Sequence, residues 1–258
     1  MKNNFFYAID VGNSDTVVAL IKNYKILKIN RYKTDFLKKK NFFNNLRLIK
    51  KILISQKNIK CIISSVVHQL NFYLKKKCFS ILKKKPIFVS YKNIRKVIKI
   101  NLKNKKEVGA DRIVNTIAVK QIYKYPAIVI DFGTATTFDV INNKGDYEGG
   151  LIAPGINLSL QNLFKKTSKL PLVKLKKNSN IIGKNTKNAI QNGLYWGYVG
   201  LVTHIINKVQ KKFKKKLYCI STGGLSKMIY KDIKLINTSN QNLTIYGLIE
   251  VYKINYCE

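Results

Sequence analysis

Short runs of apolar residues alternate with polar turns along the chain, and two pairs of these runs share one pattern. Residues 5–10 and 16–21 enclose an Asp-Val-Gly-Asn-Ser turn, and residues 127–131 and 136–141 enclose an Asp-Phe-Gly-Thr-Ala turn. Apolar, β-branched runs of this length on either side of a glycine turn are typical of paired strands. The pattern predicts two β-hairpins, each with an aspartate at the end of its first strand.

The two predicted hairpins superimpose with an offset of 121 residues, which is close to half of the 258-residue chain. A repeat at this spacing indicates a duplicated architecture of two similar α/β halves. We expect an N-terminal lobe over residues 1–120 and a C-terminal lobe over residues 121–258. The superposition places Asp10 on Asp131, Gly12 on Gly133, Asn13 on Thr134 and Thr16 on Thr137.

The remaining apolar positions predict further strands and helices around the hairpins. Short apolar runs predict strands at residues 62–67, 87–89 and 217–221. Apolar residues spaced three and four apart predict helices at 41–54, 109–122 and 188–209, and residues 244–252 predict a closing helix. The fold class is therefore α/β, with a mixed sheet expected in each half.

Composition places the chain among globular proteins with a substantial core, because 46% of its 258 residues are hydrophobic. No apolar run approaches the roughly 18 residues of a membrane span, so we expect no membrane segment. Asp10 and Asp15 interrupt the N-terminal apolar stretch, which argues against a signal peptide. The four cysteines are far apart, and we expect free thiols in a reducing cytoplasm rather than a zinc site.

The formal net charge of +37 has two interpretations. A strongly basic surface is typical of proteins that bind nucleic acid or anionic membranes. All but four of the 49 basic residues are lysine, however, and lysine, isoleucine and asparagine are the amino acids with the most A/T-rich codons. A protein that recognises nucleic acid is expected to use arginine for bidentate contacts with bases and phosphates. We favour codon bias and a solvated lysine surface, and a specific nucleic-acid partner is not expected.

The two aspartate-glycine turns carry the chemistry of phosphate binding. A phosphate chain needs backbone N–H donors, a turn without a Cβ in the way, and nearby hydroxyl or amide groups. The carboxylates of Asp10 and Asp131 are hard oxygen ligands suited to Mg²⁺ or another cation. One such turn is usually structural. Two of them, half a chain apart, favour a two-lobed phosphotransferase that holds ATP between its hairpins.

Two further glycine motifs admit both a structural and a functional interpretation. Residues 221–224, Ser-Thr-Gly-Gly, follow a predicted strand and would let an adenosine lie against the backbone, or simply turn the strand into a helix. In Gly109-Ala110-Asp111-Arg112, Asp111 could cap a helix N-terminus. It could equally accept a proton from an attacking hydroxyl while Arg112 binds an anionic substrate group.

Taken in order, these motifs resemble those of the type III pantothenate kinases over nearly the whole chain, from Tyr7 to about Gly247. The resemblance implies two ribonuclease-H-like lobes of the actin/hexokinase/Hsp70-like superfamily. It also implies ATP-dependent phosphorylation of pantothenate, the first step toward coenzyme A, by a homodimer that requires Mg²⁺ and K⁺ or NH₄⁺. The motifs are Asp10-Val-Gly-Asn-Ser, Gly109-Ala-Asp-Arg, Asp131-Phe-Gly-Thr-Ala-Thr-Thr, Gly149-Gly-Leu-Ile-Ala-Pro-Gly, Gly183-Lys-Asn-Thr and Thr222-Gly-Gly.

The resemblance also implies roles for individual residues. Asp111 would be the proton acceptor, Asp131 would bind the monovalent cation, and Thr134 would contact ATP. The residues that would hold the ATP phosphates are Asp10, Val11, Gly12, Asn13, Ser14, Asp15, Thr16 and Val17. The residues that would line the pantothenate site are Gly109, Ala110, Asp111, Arg112 and Thr186.

Two positions depart from the family pattern. Leu102 stands where the family usually has a tyrosine that contacts pantothenate, and Ser14 stands where threonine is more usual. The alternatives are another small-molecule kinase on the same fold and a non-catalytic, basic regulator or nucleic-acid-binding relative. The presence of Asp10, Asp111 and Asp131 favours catalysis over the second alternative.

Overall fold

The computed structural model describes residues 4–38 and 59–256, and these residues form two compact units. The first unit contains the described residues up to Tyr123 together with those from Leu243 onward, and the second contains Lys124–Asn242. The expected division at residue 120 assigns the segment from Leu243 onward to the C-terminal lobe. The structure instead groups this segment with the N-terminal unit.

The first unit is built on a five-stranded mixed sheet with strand order β3-β2-β1-β4-β5. Strands β1, β2 and β3 are antiparallel, while β4 and β5 run parallel to β1. The strands are β1 (Phe5–Val11), β2 (Asp15–Lys22), β3 (Lys25–Lys33), β4 (Lys60–Ser65) and β5 (Ile87–Phe88). The helices are α1 (His68–Leu82), α2 (Tyr91–Ile94), α3 (Ala110–Ile122) and the C-terminal helix, numbered α7 (Leu243–Tyr256).

Helix α7 packs on the first sheet because its side chains and backbone fit α3 and β1 closely. A Cβ added at Gly247 would overlap the backbone carbonyl of Val114 in α3, so only glycine allows this helix-to-helix distance. The ring of Tyr252 stacks on that of Phe6 in β1 with centroids 3.6 Å apart. These contacts bury Tyr252 and Phe6 and assign the closing helix to the first unit.

The second unit repeats the arrangement with strand order β10-β9-β6-β7-β8. Strands β6, β7 and β8 are antiparallel, while β9 runs parallel to β6 and β10 parallel to β9. The strands are β6 (Ala127–Phe132), β7 (Ala135–Ile141), β8 (Tyr147–Pro154), β9 (Tyr218–Thr222) and β10 (Thr238–Ser239). The helices are α4 (Ile156–Lys166), α5 (Thr186–Phe213) and α6 (Ser226–Ile229).

Most predicted elements are confirmed, and the predicted α/β fold class with a mixed sheet in each half is correct. The helix predicted at 41–54 lies outside the described residues. Strands β3, β8 and β10 and helices α1, α2, α4 and α6 were not predicted. In β3 and β8 most side chains are at least partly exposed. Polar residues are therefore tolerated among the apolar ones, and neither strand shows a long apolar run in the sequence.

The described part of the chain also bears on three compositional expectations. The cysteines at positions 61, 78 and 219 are buried free thiols, as expected, and Cys257 lies outside the described residues. The lysines at 75–77, 83–85 and 214–216 are exposed, as expected of a solvated surface. Among the helices that the structure describes, none is long and apolar enough to cross a membrane.

Candidate functional site

The first glycine turn, residues 12–14, connects β1 to β2 and is closed by its own backbone. The amide of Gly12 donates to the carbonyl of Asp15 over 3.0 Å, and a Cβ at Gly12 would lie 3.0 Å from that same oxygen. A side chain here would crowd the closing hydrogen bond, which explains the glycine. Asp10 precedes the turn on β1 and pairs with Val17 of β2 and with Ser64 of β4.

Asp10 and Asp111 form a pair of neighbouring acids within the first unit. The pKa of Asp10 is raised to about 7, first by burial and then by the negative charge of Asp111, while the Ser64 hydroxyl and Arg31 act in the opposite direction. Burial also raises the pKa of Asp111, which the backbone N–H and the charge of Arg112 partly offset. Two partly buried carboxyl groups that repel each other are a suitable donor set for a divalent cation.

Asp111 lies in the first turn of α3 and does not cap that helix. The N-cap is Gly109, and Asp111 instead accepts the backbone N–H of Arg112 through Oδ1 over 2.8 Å. A Cβ at Gly109 would lie 2.5 Å from Asp111 Oδ1, so the glycine makes room for the folded-back carboxylate. The negative carboxylate is favourable beside the positive end of the helix dipole. The capping alternative is therefore wrong, and the carboxylate has one oxygen held by the backbone.

We predict that Asp10→Asn makes the free protein more stable relative to wild type as the pH rises. The folded-state pKa of about 7 lies above the ordinary value of 3.8, so the native state binds the extra proton. The contribution of Asp10 to wild-type stability is thus fully present below pH 4 and falls by about 1.4 kcal/mol per pH unit toward pH 7. Asparagine has no such dependence.

Thermal melts of Asp10→Asn and wild type between pH 4 and pH 8 measure this effect. Asp35→Asn removes an exposed carboxylate a few residues beyond the same sheet and serves as the control. A constant difference in melting temperature between Asp10→Asn and wild type across the range would contradict a buried, proton-binding Asp10.

The second glycine turn, residues 133–134, connects β6 to β7 in the second unit. The amide of Gly133 donates to the carbonyl of Ala135 over 3.1 Å. Gly155, at the N-terminus of α4, packs directly on this turn, because a Cβ there would overlap the carbonyl oxygens of Gly133 and Thr134. Thr134 is thus held in a turn whose carbonyls face α4.

Asp131 is the penultimate residue of β6 and lies against the backbone of a glycine, Gly223. It pairs with Thr137 of β7 and with Thr222 of β9. Gly223 follows β9 with φ of +88°, and a Cβ there would overlap the Asp131 carboxylate and the backbone of Phe132. Gly223 of the motif at 221–224 therefore leaves room for the Asp131 carboxylate and packs against it. The sequence did not indicate this role. A carboxylate in this position has the donor chemistry expected of a monovalent-cation ligand.

The two glycine turns are similar but differ by one residue, which corrects the sequence superposition. Val11 pairs with Thr16 across the first hairpin, whereas Phe132 pairs with Thr136 across the second. Three residues connect the strands in the first hairpin and two in the second. The structural match of Thr16 is therefore Thr136, and both side chains are fully buried; the predicted match with Thr137 is wrong because strand pairing, not residue spacing, sets the equivalence.

Thr186 lies at the start of α5 in the second unit. The preceding residue, Asn185, caps the helix by accepting the amide of Asn188 over 2.8 Å, and Thr186 is exposed. Gly183 packs against the backbone of Ala189, which folds the motif onto the helix that it precedes. The contact of Thr186 with pantothenate stays a prediction.

Three residues near the first glycine turn were missed by sequence reasoning. Ser64 and Arg31 act on Asp10 from β4 and β3, and Thr34 donates to the turn itself. They are separated from the turn by 17 or more residues, and none lies in a glycine motif, so only strand pairing reveals them. Among the described residues, no group of three or more His, Cys, Asp or Glu side chains is close enough to hold a metal by itself.

Comparison with known proteins identifies clear relatives. A family model described as type III pantothenate kinase matches residues 6–208. Type III pantothenate kinases from Sulfurihydrogenibium sp. (strain YO3AOP1) and Bacillus cytotoxicus (strain DSM 22905 / CIP 110041 / 391-98 / NVH 391-98) are 40% and 39% identical over 248 and 254 residues. These alignments cover 93% and 96% of this chain, and 96% of each relative.

A solved structure supports the fold at lower identity. The activator of the 2-hydroxyisocaproyl-CoA dehydratase from Clostridium difficile, with bound ADPNP, has a TM-score of 0.55 and 11% identity, covering 97% of this chain and 94% of that one. A match at this identity concerns the fold alone, and it agrees with the actin-like architecture of two mixed sheets with flanking helices.

Proposed function

This chain belongs to the type III pantothenate kinase family, and on that premise we propose that it transfers the terminal phosphoryl group of ATP to the primary hydroxyl of pantothenate. The product, 4'-phosphopantothenate, is that of the first step of coenzyme A biosynthesis. The observation that carries the proposal is the pair of acids Asp10 and Asp111, one just before a glycine turn and one in the first turn of a helix, within one unit. The turn provides phosphate donors, and Asp111 provides a base.

In the proposed mechanism, catalysis depends on positioning and charge stabilisation, as in other in-line phosphoryl transfers. Backbone N–H groups of the first glycine turn and the side chains of Asn13 and Ser14 bind the phosphates of ATP, and the family resemblance gives Thr134 a contact with ATP as well. Their donors stabilise the charge that develops on the transferring group. Asp10 through Val17 form this phosphate-binding segment.

Asp111 accepts the proton of the attacking hydroxyl. One carboxylate oxygen is held by the Arg112 amide, which orients the group and leaves the other oxygen for the substrate. Burial raises the pKa of Asp111 and so makes it a stronger base than an ordinary aspartate. Gly109, Ala110 and Arg112 line the pantothenate site, with the Arg112 guanidinium suited to the carboxylate of this substrate.

The cation sites fit the residues present. Asp10, with the charge of Asp111 beside it, would hold Mg²⁺, and Asp131 would hold K⁺ or NH₄⁺. Magnesium, when bound, neutralises the phosphate charge and orients the triphosphate. The chain's own contribution is to keep two carboxylates close together and to support Asp131 against Gly223. A homodimer remains part of the proposal, on the family resemblance alone.

A coupled assay of ADP release with and without pantothenate tests the proposed function. We expect ADP release that depends on pantothenate in K⁺ buffer, similar activity in NH₄⁺ and a marked loss in Na⁺. Release that a sugar or acetate supports better than pantothenate would favour a different kinase on this fold. Equal rates in K⁺ and Na⁺ would contradict the proposal that Asp131 binds K⁺ or NH₄⁺.

A further inference from the structure

One buried threonine forms hydrogen bonds with the backbone of the first glycine turn. Thr34 follows β3 and is 5% exposed. Its amide donates to the carbonyl of Ser14 over 2.9 Å, and its hydroxyl donates to the carbonyl of Gly12 over 2.6 Å. One residue thus binds two carbonyl groups of a turn that is 20 or more residues away in the sequence.

A third contact completes a small hydroxyl network. Thr34 Oγ1 lies 3.1 Å from Thr16 Oγ1, and both hydroxyls are buried. Because the Thr34 hydroxyl proton is committed to the Gly12 carbonyl, the Thr16 hydroxyl must be the donor to Thr34. The network therefore has a fixed direction, from Thr16 through Thr34 to Gly12, and both of the hydroxyls within it are satisfied.

These contacts set the orientation of the peptide groups in the turn. In a planar trans peptide, the carbonyl of one residue and the amide of the next point in opposite directions. Holding the carbonyls of Gly12 and Ser14 on Thr34 therefore directs the amides of Asn13 and Asp15 away from Thr34. Amides fixed in advance bind an anion without the cost of ordering the turn when the anion arrives.

The second glycine turn is supported in another way. There the carbonyls of Gly133 and Thr134 lie against the backbone at Gly155, and the buried hydroxyl of Thr136, the match of Thr16, has no hydrogen-bond partner in the described structure. A threonine placed as Thr34 is therefore not a general requirement of this hairpin. It is specific to the turn that precedes Asp15.

We propose that Thr34 is a positioning residue for the binding of the ATP phosphates. The inference rests on the proposed function, in that the first glycine turn is taken as the phosphate-binding turn. Thr34 does not touch the nucleotide; it acts through the peptide groups of Gly12 and Ser14. Its removal should weaken the phosphate contacts more than the contacts of the acceptor alcohol.

The test is Thr34→Val, which keeps the shape of the side chain and removes only the hydroxyl. Loss of one hydrogen bond that leaves the Gly12 carbonyl unpaired should raise KM for ATP about tenfold, with KM for pantothenate changed less than about twofold. Thr34→Ser, which retains the hydroxyl, should restore KM for ATP to near the wild-type value. Direct calorimetry of ADP binding should show the same order of the three proteins.

The matched control is Thr203→Val, which removes a threonine hydroxyl that donates to Val199 within α5. It should leave both KM values unchanged. Should Thr34→Val not fold, Thr34→Ala provides the same comparison. Equal increases in both KM values, or a lower melting temperature with unchanged KM for ATP and unchanged ADP affinity, would overturn the inference.

The failure of this inference differs from the failure of the proposed function. If the wild-type protein binds ADP but does not phosphorylate pantothenate, the proposed substrate is wrong, and the ADP calorimetry of the Thr34 variants still decides the role of Thr34. If wild type phosphorylates pantothenate and Thr34→Val binds ADP as tightly as wild type does, only the role of Thr34 is wrong.

Discussion

Replacing Asp111 with asparagine is expected to reduce kcat by about 10²- to 10⁴-fold, because a general base of this kind contributes that range. Asparagine has nearly the same shape, and its amide oxygen can still accept the Arg112 backbone N–H that Asp111 Oδ1 accepts over 2.8 Å. The fold and the binding of ATP should therefore persist. Steady-state turnover in the coupled assay, together with calorimetry of ATP binding, separates the two quantities.

Glu107→Gln is the matched control for this experiment. Glu107 is an exposed carboxylate in the same segment of the chain, where Oε1 accepts from the side chain of Asn104 over 2.8 Å. The same change from carboxylate to amide at this position should leave kcat within about twofold of wild type. Turnover of Asp111→Asn close to that of the control would show that Asp111 is not the base.

Gly223→Ala is expected to destabilise the second unit strongly. The backbone at Gly223 has φ of +88°, which costs an alanine about 1–2 kcal/mol. The new methyl group would also overlap the Phe132 backbone and the Asp131 carboxylate, and overpacking of this kind costs about 1–3 kcal/mol. Displacement of Asp131 should abolish the difference in rate between K⁺ and Na⁺ buffers.

Gly193→Ala makes the same change in the same unit without either problem. Gly193 is exposed on α5, and a Cβ there would meet no atom within 4 Å. Because alanine is the better helix former by about 1 kcal/mol, this variant should be as stable as wild type or more so. Urea denaturation of both variants and their rates in K⁺ and Na⁺ provide the comparison. A Gly223→Ala protein with wild-type stability and an intact response to K⁺ would disprove the role of Gly223.

The sequence was sufficient for the two hairpins and for the aspartates that precede their turns. Strand β1 is largely buried, so its first five residues form an apolar run that ends visibly at Asp10. The exposed edge strand β3 carries Lys and Asn between its apolar residues and gives no such signal. Thr34, which follows β3, was missed for the same reason, although it hydrogen-bonds directly to the first turn.

Some expectations required a choice that a sequence cannot make. Asp111 could cap a helix or stand within its first turn, and the choice depends on the position of Gly109, which is the actual N-cap. The match of Thr16 with Thr136 rather than Thr137 depends on which residues pair across each hairpin. The sequence comparison aligns the two turns at their aspartates, and this alignment does not reveal that the first turn is one residue longer than the second.

The sequence by itself determined the duplicated hairpins, the α/β class and the ordered set of glycine motifs, because local periodicity and turn chemistry depend on neighbouring residues. Only the tertiary structure decided that α7 returns to the first sheet, that Gly223 supports Asp131 and that Thr34 holds the first glycine turn. Each of these joins residues at least 20 positions apart. Such contacts are set by strand order and close backbone packing, which leave no local pattern in the chain.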